Sequence, residues 1–434
     1  MGGGDKADQV LDSKFQGLEC HDPMEAVLAN IHSLYTVRDT FFPLDPSIKK
    51  ARLDNLMRDV LLVLDDISSD CRKQPQRRAQ WEYLRGKVLD VGPDYCKEAE
   101  EHLSKSVKLD PSMVDAWCCL GNCFWKKGDL AQAKNCFNIA LSKGLNKKAL
   151  QQLSMLERRI GKGTADEAET VEESIRHAKQ AVSLDIKDGQ SWYTLGNAYL
   201  TSFFVSGAWD RSKLHQSLKA YQNAEKDDMA SANPDLHFNS ATVHQYLEDY
   251  ERALRGFEAA SVRDPGLHAD HEVNKLINLL SKLEDLVANK GRLKPRRLSS
   301  ILSSLPIHAS VGAHRQALLG DLKEGFNKGM ALQAKTLQAV PHDNSVPLFY
   351  LVSDREANCF ALSVYALRDG AIKEGTTITL LEPFFGEVNV TWQDKVYRYK
   401  AVRVDLPQQL LLNGRPPLVQ DAVCSTLQAE NIPP

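Results

Sequence analysis

Asn122, Asn197 and Asn239, together with Lys126 and Arg158, fall on the inner faces of the first helices of repeated helical hairpins, where a groove is expected. A carboxamide has a donor side and an acceptor side, so one Asn can hold both the C=O and the N–H of a peptide bond whatever its sequence. Each such pair contributes about 0.5 to 1.5 kcal/mol net, and three of them roughly 2 to 4 kcal/mol. Micromolar affinity needs about 8 kcal/mol, so side-chain pockets or charge pairs must supply the rest. The chemistry to expect is recognition of extended peptide. Bond-making chemistry finds little support: no phosphate-binding Gly loop, no G-x-S-x-G elbow and no H-E-x-x-H pair occurs, and a non-enzymatic chain without a cofactor is expected. Cys119 and Cys123, four apart and near Cys118 and Cys136, could hold zinc, but small cysteines at helix-packing positions are the better reading. His268, Asp270 and His271 begin a helix, and no further ligand pattern follows them.

The helices that must position the groove are legible. Trp117, Leu120, Gly121, Phe124, Ala133, Phe137 and Ala140 follow the spacing W-x2-L-G-x2-[YF]-x8-A-x3-F-x2-A, the fingerprint of a tetratricopeptide hairpin. Its large residues fill the space between two antiparallel helices, and its small ones stand where backbones approach closely. Trp192, Leu195, Gly196 and Tyr199 repeat the first helix, and Ser217, Tyr221 and Ala224 fit the second if about nine residues are inserted within Phe203 to Leu214, which predicts a protruding loop. His237 and Ala241 with Ala253, Phe257 and Ala260 mark another unit, Ala99 and Leu103 an earlier one, and Leu150 to Arg159 the start of a further one. With a degenerate unit over Ala26 to Ile67, about five to six hairpins are expected. His268 to Asn289 reads as the helix that caps the array.

The chain has 434 residues and a net charge of -3, with 43% hydrophobic and 26% charged residues, as expected of a globular protein of two or three domains. The charge sum selects no class of partner. No secretory leader or long apolar run is read, and no membrane partner is expected. Nine cysteines without C-x2-C spacing point to reduced thiols and a cytoplasmic or nuclear setting. Met1 to Asp8 approaches a myristoylation start, but Lys6 stands where Ser or Thr is preferred, so a disordered tail over 1–19 is expected, followed by the array over 20–290. Lys290, Arg292, Lys294, Arg296 and Arg297 make a basic linker over 291–309, which Gly291 and Pro295 should keep out of helix. Such a run reads as a solvated linker, a nuclear-import signal or a phosphate contact. Ser299 follows Arg296-Arg297-Leu298 in a pattern basophilic kinases favour, and is the expected phosphorylation site.

Beyond residue 313 the chain reads as strands over 315–322, 330–340, 346–354, 359–365, 376–381, 388–392, 395–399 and 403–405. The Gly turn and terminal Pro of Ile372 to Pro383 fit a five-stranded OB-fold barrel over 310–425, with a tail over 426–434. Phe349, Tyr350, Phe384, Phe385, Trp392, Tyr397 and Tyr399 could stack on bases of a nucleic acid. No basic stripe accompanies them, and alternate aromatics read more readily as core, so a structural or protein-binding barrel is expected. The fold class is an all-α tetratricopeptide-repeat solenoid followed by a small all-β OB-fold barrel.

With the segments Leu120 to Asp129, Ser191 to Leu200 and Asn233 to His237, a basic linker and a C-terminal barrel, the chain resembles the tetratricopeptide repeat protein 5 (Strap) family. The resemblance spans about residues 80 to 415 and is more specific in the repeats than in the barrel. At the N-terminus the chain departs from it, with Gly2 to Gly4 in place of an acidic leader. The resemblance implies an adaptor that binds the N-terminal peptide of nascent tubulin near the ribosomal tunnel exit. It implies decay of tubulin mRNA through an mRNA-decay adaptor and a deadenylase, and a second, nuclear role as a stress-responsive scaffold for acetyltransferase coactivators. On the same ground Arg158 is expected to hold a carboxylate of a peptide beginning Met-Arg-Glu, Asp235 to pair with its Arg, and Tyr193 to join the groove, while the basic run docks on ribosomal RNA. From the residues alone, Arg158 reads more readily as a solvated or capping side chain than as a ligand, and Asp235 also as a first-turn carboxylate.

Overall fold

The computed structural model describes residues 23–67, 73–305, 312–343, 346–365 and 367–423. The tails expected at 1–19 and 426–434, with the acylation pattern, lie outside the described residues. The chain divides into two compact units, Met1–Leu153 and Ser154–Pro434.

In the first unit α1 (Pro23–Thr40) pairs with α2 (Pro46–Asp66), α3 (Pro75–Leu89) with α4 (Lys97–Leu109), and α5 (Val114–Lys127) with α6 (Leu130–Lys143). Gly128, in the left-handed region at φ 90, ends α5, and Asp129 starts α6 by accepting the Gln132 N–H at 3.0 Å. Between these two helices Gly121 faces Phe137: a Cβ at residue 121 would stand 2.5 Å from the ring. The helix α7 (Lys147–Gly161) carries the chain into the second unit.

There α8 (Glu167–Leu184), α9 (Gly189–Val205), α10 (Arg211–Ala224), the short α11 (Asp228–Ser231), α12 (Pro234–Tyr246) and α13 (Tyr250–Arg263) follow, giving six hairpins among the described residues. The inserted residues do not form a long protruding loop. They extend α9 to Val205 over the fully buried Phe203, and only residues 206–210 turn before α10. The capping helix α14 (Ala269–Ala288) buries Leu276, Leu280 and Leu283, and α15 (Pro295–Leu302) follows a 3-10 turn over Lys290–Arg292. The basic stretch is therefore not an unstructured linker. Pro295 sits in the first turn of α15, where its missing N–H is not needed and its fixed φ suits a helix start.

The β-domain holds β1 (Arg315–Ala317), β2 (Gly325–Phe326), β3 (Met330–Val340), β4 (Leu348–Ser353), β5 (Cys359–Val364), β6 (Thr377–Leu381), β7 (Phe384–Trp392), β8 (Lys395–Val404) and β9 (Leu410–Leu412). The sheet runs β2-β7-β8-β5-β4-β3-β6-β9, with β1 parallel to β3. The expected strand at 403–405 is the end of β8, and the expected 315–322 strand stops at Ala317 before a 3-10 turn. Both faces of the curled sheet are covered. On β4 and β5, Tyr350, Val352, Phe360 and Leu362 point into the core of the domain, while Phe349, Leu351 and Ala361 join a cluster with Leu276, Leu280 and Leu283 of α14. Trp392, Tyr397 and Tyr399 belong to that same helix-covered face. Five of the seven aromatics considered for base stacking are thus core (Phe349, Tyr350, Trp392, Tyr397 and Tyr399); Phe384 is exposed and Phe385 half-buried.

A buried arginine fastens the β-domain to the last repeat hairpin. Arg403 Nη1 donates to the Tyr246 carbonyl at 2.6 Å and Nε to Asp405 at 2.8 Å, and its guanidinium lies 3.9 Å from the Tyr365 ring centroid. Tyr365 donates to Glu248 at 2.9 Å.

Replacing a helical glycine by alanine ordinarily gains about 0.5 to 1 kcal/mol, whereas overpacking a fixed core costs about 1 to 3 kcal/mol. Gly121→Ala should therefore destabilise the protein, read as a lower urea midpoint. Gly144→Ala, where no atom lies within 4 Å of the added methyl, should not lower it.

Candidate functional site

In the second unit the structure brings five of the expected residues together on α7, α9 and α12. Tyr193 and Asn197 lie one helical turn apart on α9 and face Asn239 on α12. Asn239 Nδ2 donates to the Tyr193 hydroxyl at 3.1 Å and to Asn197 Oδ1 at 3.2 Å, and the Tyr221 hydroxyl donates to the same Asn197 oxygen at 2.6 Å. The acceptor side of Asn197 is therefore spent inside the fold, and Asn239 is buried. Neither amide is poised to clamp both sides of a peptide bond, as its sequence position suggested. Their part is to fix Tyr193 and Tyr221, whose rings lie 6.1 Å apart.

Arg158, on the last turn of α7, is placed differently. Nη1 donates to the Ser154 carbonyl at 3.1 Å and to the hydroxyls of Ser154 and Ser174 at 3.0 Å each. No carboxylate lies within ion-pair distance of it among the described residues; its neighbour Glu157 is turned to His177 at 2.9 Å. Burial pulls the guanidinium down to about 10, with Tyr221, Tyr193 and Glu157 opposing the shift. Asp235, whose N–H is capped by Asn233 at 2.9 Å, acts on the same phenol from the other sign. The Tyr193 hydroxyl is raised first by burial and then by Asp235, and lowered by Arg158. A cation and an anion thus stand on two different helices around one buried tyrosine.

In the first unit Asn122 is half-buried on α5, and its side chain makes no hydrogen bond among the described residues. Lys126 is committed elsewhere. Its ammonium donates to Asp90 Oδ1 at 2.8 Å and to the carbonyls of Asp90 and Gly92 at 2.6 and 2.7 Å, so the expected groove cation is a tether to the end of α3. Burial pushes the Asp90 carboxyl above its ordinary range, and Lys126 and the Cys123 thiol oppose that shift.

Reading single helices missed Ser174 and Asp90. Ser154 pairs with Ser174, Glu157 with His177 and Glu82 with His102, each across 20 residues. That recurring offset between facing positions of a hairpin is the signal that could have found Ser174. Glu157, Glu173 and His177 also bring their ligand atoms within 4.8 Å, but the Glu–His contact repeats the one in the earlier hairpin, as a packing hydrogen bond would. Cys118, Cys123 and Cys136 are buried free thiols, with Cys118 and Cys136 each pushed up to about 12 by burial.

The basic run separates into parts. Arg292 bonds Asp285 at 2.8 Å, and Lys290 lines a groove against the β-domain. Lys294, Arg296 and Arg297 are exposed at the start of α15 with no acidic partner among the described residues, and Ser299 is exposed on the same helix. No described helix is long and apolar enough to cross a membrane.

The family model of the tetratricopeptide repeat protein 5 OB fold domain matches residues 313–426, and a tetratricopeptide repeat model matches residues 114–142. Tetratricopeptide repeat protein 5 of Mus musculus is 37% identical over 408 residues, covering 89% of this chain and 92% of the relative. The Homo sapiens protein of the same name is 36% identical over 408 residues, with the same 89% and 92% coverage. Among solved structures, the Cut9-Hcn1 hetero-tetramer of the APC/C aligns at 16% identity and a TM-score of 0.41, covering 65% of this chain and 54% of that one.

Removing one partner of a buried ion pair costs about 3 to 5 kcal/mol because the other charge is left uncompensated. Lys126→Met should therefore lower the melting temperature, and a further Asp90→Asn should recover part of the loss. A melting temperature unchanged by Lys126→Met would return the lysine to the groove.

Proposed function

The chain belongs to the tetratricopeptide repeat protein 5 family, and from that membership and the charged site on α7, α9 and α12 we propose that it reads the N-terminal peptide of nascent tubulin. In this reading it is a non-catalytic adaptor that engages the peptide at the ribosome and triggers co-translational decay of tubulin mRNA, through an mRNA-decay adaptor and a deadenylase. The observation that carries the reading is Arg158. A guanidinium lowered by burial, fixed through one nitrogen by hydroxyls and a carbonyl, and without an ion-pair partner among the described residues is suited to a carboxylate supplied from outside. A peptide beginning Met-Arg-Glu carries that carboxylate and, one residue earlier, a cation for Asp235. Tyr193, held by Asn239 and within electrostatic reach of both charges, offers its ring as an apolar wall.

Docking needs a second surface, because a reader of emerging peptides must be held where they emerge. Lys294, Arg296 and Arg297 supply it: three solvated cations at the start of one short helix, with no acidic partner among the described residues, suit ribosomal RNA phosphate. Three phosphate contacts correspond to a slope of roughly -2 to -3 in log K against log salt.

Two measurements test the halves separately. Arg158→Ala should weaken a Met-Arg-Glu peptide by about 1.5 to 3 kcal/mol in calorimetry with helicity intact. Asn197→Ala, which releases Tyr221, should cost less, and full affinity in both variants would refute the site. Lys294→Glu with Arg296→Glu should abolish co-sedimentation with ribosomes at physiological salt and leave binding of the free peptide unchanged. Loss of both activities in that double variant would mean that docking and reading are not separable.

A further inference from the structure

Between α15 and the turn joining β4 to β5 lies a groove of about 440 Å³ that the peptide-reading site does not use. Leu293, Leu298 and Leu302 line it from the helix side and Ala357 from the turn, while Lys290 and Arg355 stand among the lining residues as cations. Glu356 is the one carboxylate among them. Charge in and around the groove is therefore positive, the more so because Arg296 and Arg297 continue along α15.

The wall is built to keep its shape. Asp354, fully buried, accepts the backbone N–H groups of Glu356 at 3.0 Å and Asn358 at 2.9 Å with one oxygen. Its other oxygen accepts the Asn358 side chain at 3.0 Å and the Leu319 N–H at 3.1 Å. Those bonds hold Ala357 in the left-handed region at φ 62, a conformation that a residue with a Cβ adopts only where its surroundings fix it. Opposite, Pro295 fixes the start of α15. A rigid apolar floor with cations beside it loses little entropy when a ligand is seated.

We propose that this groove docks a short apolar and acidic segment of a partner protein, its Leu or Phe side chains on the leucine floor and its Asp or Glu side chains toward Lys290 and Arg355. Ser299 lines the same groove, so negative charge placed there opposes the ligand.

The test is selection of a random short-peptide library on the full chain, followed by titration of the synthesised consensus peptide. The expected consensus combines Leu or Phe with Asp or Glu. Its affinity should fall about tenfold or more in Lys290→Glu with Arg355→Glu, fall also in Ser299→Glu, and stay unchanged in Arg158→Ala. All substituted side chains but Arg158 are exposed, and melting curves matching wild type confirm folding. A consensus that is basic or lacks acid, equal affinity in the charge-reversed variant, failure to enrich any peptide, or a peptide lost only with Arg158→Ala would each overturn the proposal. Displacement of the peptide by single-stranded RNA at stoichiometric concentration would assign the groove to RNA instead and overturn it as well.

Discussion

The close approach of two helices across a glycine is the constraint on which the rest of this structure depends. At Gly121 the space is taken by the Phe137 ring, and at the corresponding Gly196 by Tyr221. A ring that must lie across the glycine has its para position fixed. In the first case that position is apolar; in the second it bears a hydroxyl, delivered 2.6 Å from Asn197 Oδ1. Ser217 on the same helix closes the contact by donating to the Gly196 carbonyl at 2.8 Å. A packing rule of the repeat thus becomes a polar device. One atom added to a core aromatic orients Asn197, which with Asn239 orients Tyr193.

The features written in local spacing were the legible ones. The fingerprint around Trp117 and Trp192 depends on which residues recur within two helical turns, and the hairpins stand where it put them. What eluded such reading was set by stacking. Lys126 looked like a groove cation from its position on its own helix, but its partner Asp90 lies 36 residues earlier and meets it only when successive hairpins pack. Arg158 was read from its own helix alone, whereas the Ser174 that holds it comes from the second helix of the hairpin. The basic run looked uniform in sequence and is not, because Asp285 on α14 captures Arg292 while Pro295 starts a new helix.

The β-domain shows a different limit. A strand buried on both faces loses the alternation that tells inside from outside. On β4 every residue from Phe349 to Ser353 is buried, Phe349 and Leu351 in the cluster with α14 and Tyr350 and Val352 in the domain core. Aromatics that could have met bases in an isolated barrel are covered here by the capping helix. That cover joins the domain to the repeats of the second unit, so α14 belongs as much to the sheet as to those hairpins.

The buried Arg403 and the half-buried Arg158 give the strongest ground for a functional reading, because the fold treats them oppositely. Around Arg403 burial works against the charge, and Tyr365, Glu248 and Asp405 more than offset it, so the guanidinium is held above its ordinary value. The acids are part of the fold, and the residue fastens two elements together. Arg158 is given hydroxyls and a carbonyl, groups that orient a guanidinium without neutralising it, and burial prevails. A structural cation carries its counter-charge with it. The peptide reading proposed for Arg158 rests on that difference between the two arginines.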